Sequence, residues 1–94
     1  MGVDVYMVIV DPKGWVVEER WIGRSGVRDR VHEVLPRPPD HEEYAFASWG
    51  RLTVPEAVQI CEAHYGDGLT PADVEQLANE FPADRFWWAL TINW

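Results

Sequence analysis

Alternating large apolar side chains in the last nine residues constrain the fold more than any other feature of the chain. Residues 86–94 read Phe-Trp-Trp-Ala-Leu-Thr-Ile-Asn-Trp, so every even-numbered position is large and apolar. A period of two is typical of a β-strand with one face in a core. The backbone groups of such a strand need a partner, so we expect it to pair beside residues 3–10.

A β-hairpin is predicted at the start of the chain. Residues 3–10 and 15–22 are rich in Val, Ile and Trp, and Asp11-Pro12-Lys13-Gly14 between them suits a type I turn closed by a left-handed Gly14. Alternation assigns one set of side chains to the face that meets the helices: Val3, Val5, Met7, Ile9, Trp15, Val17 and Trp21.

Three helices are indicated by apolar spacing, capping residues and proline. A first helix is expected to begin at Ser25 as N-cap and to end before Pro36. The sequences Thr53-Val54-Pro55-Glu56 and Thr70-Pro71-Ala72-Asp73 each combine a hydroxyl cap, an early Pro and an acid at the third helical position. They predict helices over 54–65 and 71–80.

The segment 41–49 has two interpretations. Asp40 with Glu43 resembles a capping box that would open a helix ending at Trp49, but the same residues suit a strand. The expected fold is therefore a single two-layer α+β domain over residues 1–94, in the order ββα(α or β)ααβ. Three or four helices would pack on a small sheet that contains the N-terminal hairpin and the C-terminal strand.

The formal net charge of -8 is concentrated in the second part of the chain. Residues 1–37 hold six cationic and six acidic side chains, whereas residues 38–94 hold only Arg51 and Arg85 against ten carboxylates. Binding to nucleic acid depends on neutralising phosphates with Lys and Arg, so we expect no direct nucleic-acid contact. A basic protein partner fits the charge better.

The second face of the predicted sheet is the main candidate for a partner. Alternation places Tyr6, Val8, Val10, Val16, Ile22 and Trp87 there, and large exposed apolar patches usually mark interfaces. The predicted partner-binding residues are Tyr6, Val8, Val16 and Trp87, together with the acids Asp73, Glu75 and Glu80. A homodimer through this face is compatible with the pattern. In the alternative arrangement, segment 41–49 folds across this face and covers it.

A metal site is the alternative functional hypothesis. Cys61 and His64 are three residues apart on a predicted helix, and His32 or His41 could complete a zinc site. Cys61 also lies in an apolar stripe, where a free Cys acts as a small buried hydrophobe, so we predict no metal, no cofactor and no enzymatic activity.

The function expected from the sequence is inhibition or neutralisation of a basic partner. An immunity protein, an antitoxin or a phage anti-defence inhibitor would fit the acidity and the surplus of Trp. A lone cysteine is typical of a reducing compartment, so a cytoplasmic location without membrane contact is expected.

Overall fold

The computed structural model describes residues 3–62 and 68–94, and it confirms the α+β fold class. The described elements, in chain order, are β1 (Asp4–Val10), β2 (Val16–Gly23), α1 (Ser25–Val34), β3 (His41–Glu43), β4 (Phe46–Trp49), α2 (Val54–Cys61), α3 (Pro71–Glu80) and β5 (Trp87–Asn93). Their strands form one antiparallel sheet in the order β2-β1-β5-β4-β3. None of the helices in the described ranges is long and apolar enough to cross a bilayer.

The last strand lies at the centre of the sheet. β5 pairs with β1 from Val10↔Trp87 to Asp4↔Asn93, which confirms the predicted partner. On its other side β5 pairs with β4, from Trp49↔Leu90 to Phe46↔Asn93. β5 therefore joins the N-terminal hairpin to a second hairpin built from β3 and β4.

Segment 41–49 extends the sheet and does not lie across it. The strand interpretation is correct, and the helix that was expected to open with a capping box at Asp40 is wrong. Asp40 instead links the two strands at the open end of the β3–β4 hairpin. Its Oδ2 accepts a 2.6 Å hydrogen bond from the Gly50 N–H, and its own N–H donates to the Ser48 carbonyl. The arrangement in which this segment covers the second sheet face is therefore also wrong.

A bulge in the first hairpin changes which side chains reach the core. Ile9 pairs with Glu18 and Val10 with Val16, so Val17 is an extra residue, and the alternation of β2 is reversed beyond it. A second shift leaves Ile22 between the pairs Val5↔Gly23 and Tyr6↔Trp21. Ile22 is fully buried, although alternation placed it on the second face. Trp21 was assigned by alternation to the face that meets the helices, but it lies on the second face, opposite Tyr6.

The turn of this hairpin forms as expected. Gly14 has φ +91°, and its N–H donates to the Asp11 carbonyl at 2.9 Å. Trp15 next to the turn is 70% exposed, so the prediction that it belongs to the core is wrong.

The core lies between the sheet and the three helices. On the sheet it contains Val5, Met7, Ile9, Trp88, Leu90 and Ile92, and on the helices Val27, Val31, Ala57, Ile60, Cys61, Val74 and Leu77. The two buried indoles both find acceptors: Trp49 Nε1 donates to the Arg37 carbonyl and Trp88 Nε1 to the Phe81 carbonyl, each at 2.9 Å. Large rings are thus buried without unpaired polar atoms.

Two of the three predicted helix starts are confirmed. Thr53 with Glu56 and Thr70 with Asp73 both form reciprocal capping boxes. At α1 the prediction is wrong, since the N-cap is Arg24 and no side chain caps the helix. The predicted end of the second helix, at residue 65, lies outside the described residues.

We expect the α3 capping box to contribute pH-dependent stability. The Thr70 N–H donates to the Asp73 carboxylate, which holds the pKa of Asp73 below its ordinary 3.8. Thr70→Ala should lower the unfolding free energy by about 1 kcal/mol at neutral pH, measured by urea denaturation.

Asp73→Asn should also destabilise the protein at neutral pH. Because the pKa is lower in the native state, the contribution is present above the ordinary value and is lost as the pH falls through the native one. The difference between Asp73→Asn and the unchanged protein should therefore shrink in acid. Glu75→Gln, exposed on the same helix and outside the cap, is the control. A pH-independent effect of Asp73→Asn would contradict this account.

Candidate functional site

The sheet face opposite the helices, here called the open face, lies under no helix of the described chain. Cross-strand pairing arranges it in four rows: Val16, Val10 and Trp87; Glu19, Val8 and Ala89; Trp21, Tyr6, Thr91, Ser48 and His41; Asp4, Asn93, Phe46 and Glu43. The helix-side residues of β1 are fully buried, whereas Tyr6, Val8 and Val10 stay partly exposed. The open face is therefore an accessible apolar surface.

The most exposed apolar side chains of this face lie in its first row. Val16 is 58% exposed and Trp87 is 44% exposed. The Trp87 ring lies against the backbone of Gly50, where an added Cβ would come within 2.5 Å of Cζ2. The Arg51 guanidinium stacks on the same ring, 4.9 Å from its centroid. Trp87 is thus exposed but held in place, as suits an anchor residue.

Carboxylates flank the apolar rows. Glu19 is exposed on β2 beside Val8, and Asp4 accepts a 3.0 Å hydrogen bond from Trp21 Nε1. At the far edge, Glu43 Oε1 lies 2.9 Å from His41 Nε2. The four rows contain no Lys or Arg. The open face therefore combines an apolar centre with a negative rim.

The structure divides the predicted partner-binding residues between two sides of the molecule. Tyr6, Val8, Val16 and Trp87 lie together on the open face. Asp73, Glu75 and Glu80 belong to α3, in the helical layer beyond the core, and the Asp73 carboxylate is engaged in the capping box. The structure thus does not bring the three acids together with the apolar set.

Sequence reasoning missed the acids that do lie on the open face. Asp4 and Glu19 share it with Tyr6 and Val8, and strict alternation from Tyr6 would have identified Asp4. Glu19 and Trp21 depend on the register shift at Val17 in the first hairpin. A local bulge leaves no regular spacing in the sequence that would reveal it.

Cys61 has the properties of a core residue. Its side chain is buried, and burial, followed by the charge of Asp73, raises the pKa of the thiol to about 12. A thiolate is the form that attacks substrates and binds metals, and this environment disfavours it. His64, the other half of the predicted pair, lies outside the described residues.

The two other candidate ligands have aromatic and acidic neighbours. His32 packs edge-on against Trp49 with 5.8 Å between ring centroids, and His41 contacts Phe46 and Glu43. Within residues 3–62 and 68–94, no group of three or more His, Cys, Asp or Glu side chains is placed to hold a metal ion. The described geometry therefore offers no support for the alternative hypothesis.

Comparison with protein-family models, curated proteins and solved structures finds no match for this chain.

We expect Cys61 to be chemically silent in the folded protein. At pH 9, its ordinary pKa, an accessible thiol is half ionised, whereas a pKa of about 12 leaves about one thiolate in a thousand. A disulfide reagent that reports released thiolate should therefore react slowly with the native protein and rapidly after unfolding in guanidinium. Rapid stoichiometric reaction of the native protein would contradict this prediction.

Proposed function

We propose that this protein binds a partner protein through its open face, and that the partner presents an apolar patch flanked by Lys and Arg. The observation that carries the proposal is the exposed apolar set on the side of the sheet that no described helix covers. Water contact with such a surface is unfavourable, and burying it against a partner supplies most of the binding free energy.

The side chains of the first two rows suit the centre of an interface. Trp87 presents a large ring that already contacts Gly50 and Arg51. Binding would therefore cost little conformational entropy at this side chain. Val10 is the cross-strand partner of Trp87, and Val8 and Val16 continue the apolar surface with stiff β-branched side chains. A few aromatic anchors packed beside such side chains account for most of the affinity of typical interfaces.

The negative rim indicates the charge of the partner. In a face-to-face homodimer, Asp4, Glu19 and Glu43 of both copies would meet an interface whose four rows contain no Lys or Arg, and the net charge of -8 adds to the repulsion. A partner with Lys and Arg around its apolar patch would form ion pairs with the same three carboxylates. Charge therefore favours a basic protein over a second copy.

The corresponding biological role is that of an inhibitor or neutraliser. A compact acidic protein can cover the basic surface with which an enzyme holds nucleic acid, as an immunity protein, an antitoxin or a phage anti-defence protein does. This role needs no catalytic residue and no cofactor. The lone, buried Cys61 fits a reducing compartment such as the cytoplasm.

A capture and titration experiment tests the proposal. The immobilised protein captures partners from a lysate at low salt, mass spectrometry identifies them, and calorimetry measures the affinity of the purified partner. We expect a basic partner whose binding weakens with added salt. Val8→Asp should weaken binding at least about tenfold, because it places an unpaired charge in the buried centre.

Ala72→Asp is the matched control, since it adds the same charge at an exposed position of α3. It should leave the affinity unchanged, and urea denaturation should show that both variants fold. A partner without basic character, or equal affinities for Val8→Asp and Ala72→Asp, would refute the proposal. Sedimentation that shows a dimer broken by Val8→Asp would replace it with self-association.

A further inference from the structure

A cleft of about 970 Å³ lies at the end of the sheet where three connections meet. These are the β1–β2 turn, the loop before α2 and the loop before β5. Its walls include the apolar side chains of Leu52, Val54, Phe86 and Trp87, together with Arg51 and Arg85. The cleft shares Val10 and Trp87 with the open face, and its other lining residues lie outside that face.

Both cations of the acidic segment line this cleft. Arg51 and Arg85 are the only Lys or Arg side chains in residues 38–94, where ten carboxylates accompany them. Neither forms a salt bridge within residues 3–62 and 68–94, whereas Arg20, Arg28, Arg30 and Arg37 all do. Lys13 and Arg24 have no salt bridge within these residues either, but neither lines the cleft. The placement of Arg51 and Arg85 in a cavity with apolar walls is what indicates a role toward an external anion.

Arg51 is positioned before any ligand arrives. Its backbone has φ +54°, a left-handed conformation that is unfavourable for a non-glycine residue. Its guanidinium carbon lies over the Trp87 ring, 4.9 Å from the ring centroid, a contact that does not use the guanidinium N–H groups as hydrogen-bond donors. Trp87 is itself held against Gly50.

The acids of the cleft limit the charge of the ligand. Asp11 and Asp84 also line it, so the formal charges of the lining residues balance. Oδ1 of Asp11 accepts hydrogen bonds from the N–H groups of Lys13 and Trp15, both at 2.9 Å, and so is directed to the turn. Asp84 is exposed and would repel a multiply charged anion. A single negative charge suits this balance, and a polyphosphate does not.

We propose that the cleft binds a monocarboxylate that carries an aromatic or branched apolar group. Arg51 and Arg85 donate to the carboxylate, and the apolar group packs on Phe86, Trp87 and Leu52. The carboxylate comes either from the C-terminus of a peptide or from a small free acid. This proposal does not depend on the function assigned to the open face.

The probes are N-acetyl-phenylalanine and its primary amide, which differ only in the charged group. They are titrated at millimolar concentration into the isotope-labelled protein while backbone amide shifts are followed by NMR. We expect the acid to shift amides of residues 51–54 and 84–87, and the amide to bind about tenfold more weakly. A hexapeptide ending in Phe, with a free or an amidated C-terminus, distinguishes the sources: tighter binding of the free-ended peptide indicates a peptide terminus, and binding of the small acid alone indicates a small free acid.

Arg51→Gln and Arg85→Gln should each weaken binding of N-acetyl-phenylalanine about tenfold while the spectra stay those of a folded protein. Arg24→Gln is the control, since Arg24 has no salt bridge within the described residues and does not line the cleft. Equal shifts with the acid and the amide, shifts elsewhere, no shift at all, or full affinity in both cleft variants would each overturn the proposal.

Discussion

The pairing of β5 on both sides holds this fold together. β1 and β4 meet only through β5, so the two hairpins would share no hydrogen bonds without it. The same strand places Trp88, Leu90 and Ile92 under the helices, where all three are buried. Backbone ladder and core packing thus depend on one seven-residue element. Because β1 precedes it by up to about ninety residues in the chain, the two hairpins can join only after long loops have closed.

A sheet of five strands with its three described helices on one side leaves the other side to the solvent or to a partner. Several charged side chains oppose self-association of the isolated protein. The edge strands β2 and β3 carry charged side chains, among them Glu18, Arg20 and Glu42, which discourage edge-to-edge pairing. Carboxylates around the apolar rows oppose face-to-face association. These charges oppose self-association, and under the proposed function they leave the surface open to a basic partner.

The sequence predicted those elements that local chemistry determines. Period-two apolar residues identified β5, the Asp11 to Gly14 turn identified the first hairpin, and the boxes at Thr53 and Thr70 located two helices. The predictions that were wrong concern features that depend on strand register and tertiary context. Ile22 enters the core through a bulge, and segment 41–49 becomes a hairpin because β5 offers a free edge for β4. The cleft with Arg51 and Arg85 could not be predicted, since it needs three distant connections to meet.

The central claim is that the two faces of one sheet differ in solvent contact in the isolated chain. Solvent paramagnetic relaxation by a neutral gadolinium chelate, measured on valine methyl groups at low protein concentration, tests it most directly. The account predicts strong relaxation of Val8, Val10 and Val16 and weak relaxation of Val5 and Val31. If Val8 and Val10 were as protected as Val5 in a protein that sediments as a monomer, the open face would not exist and the binding proposal would fall with it.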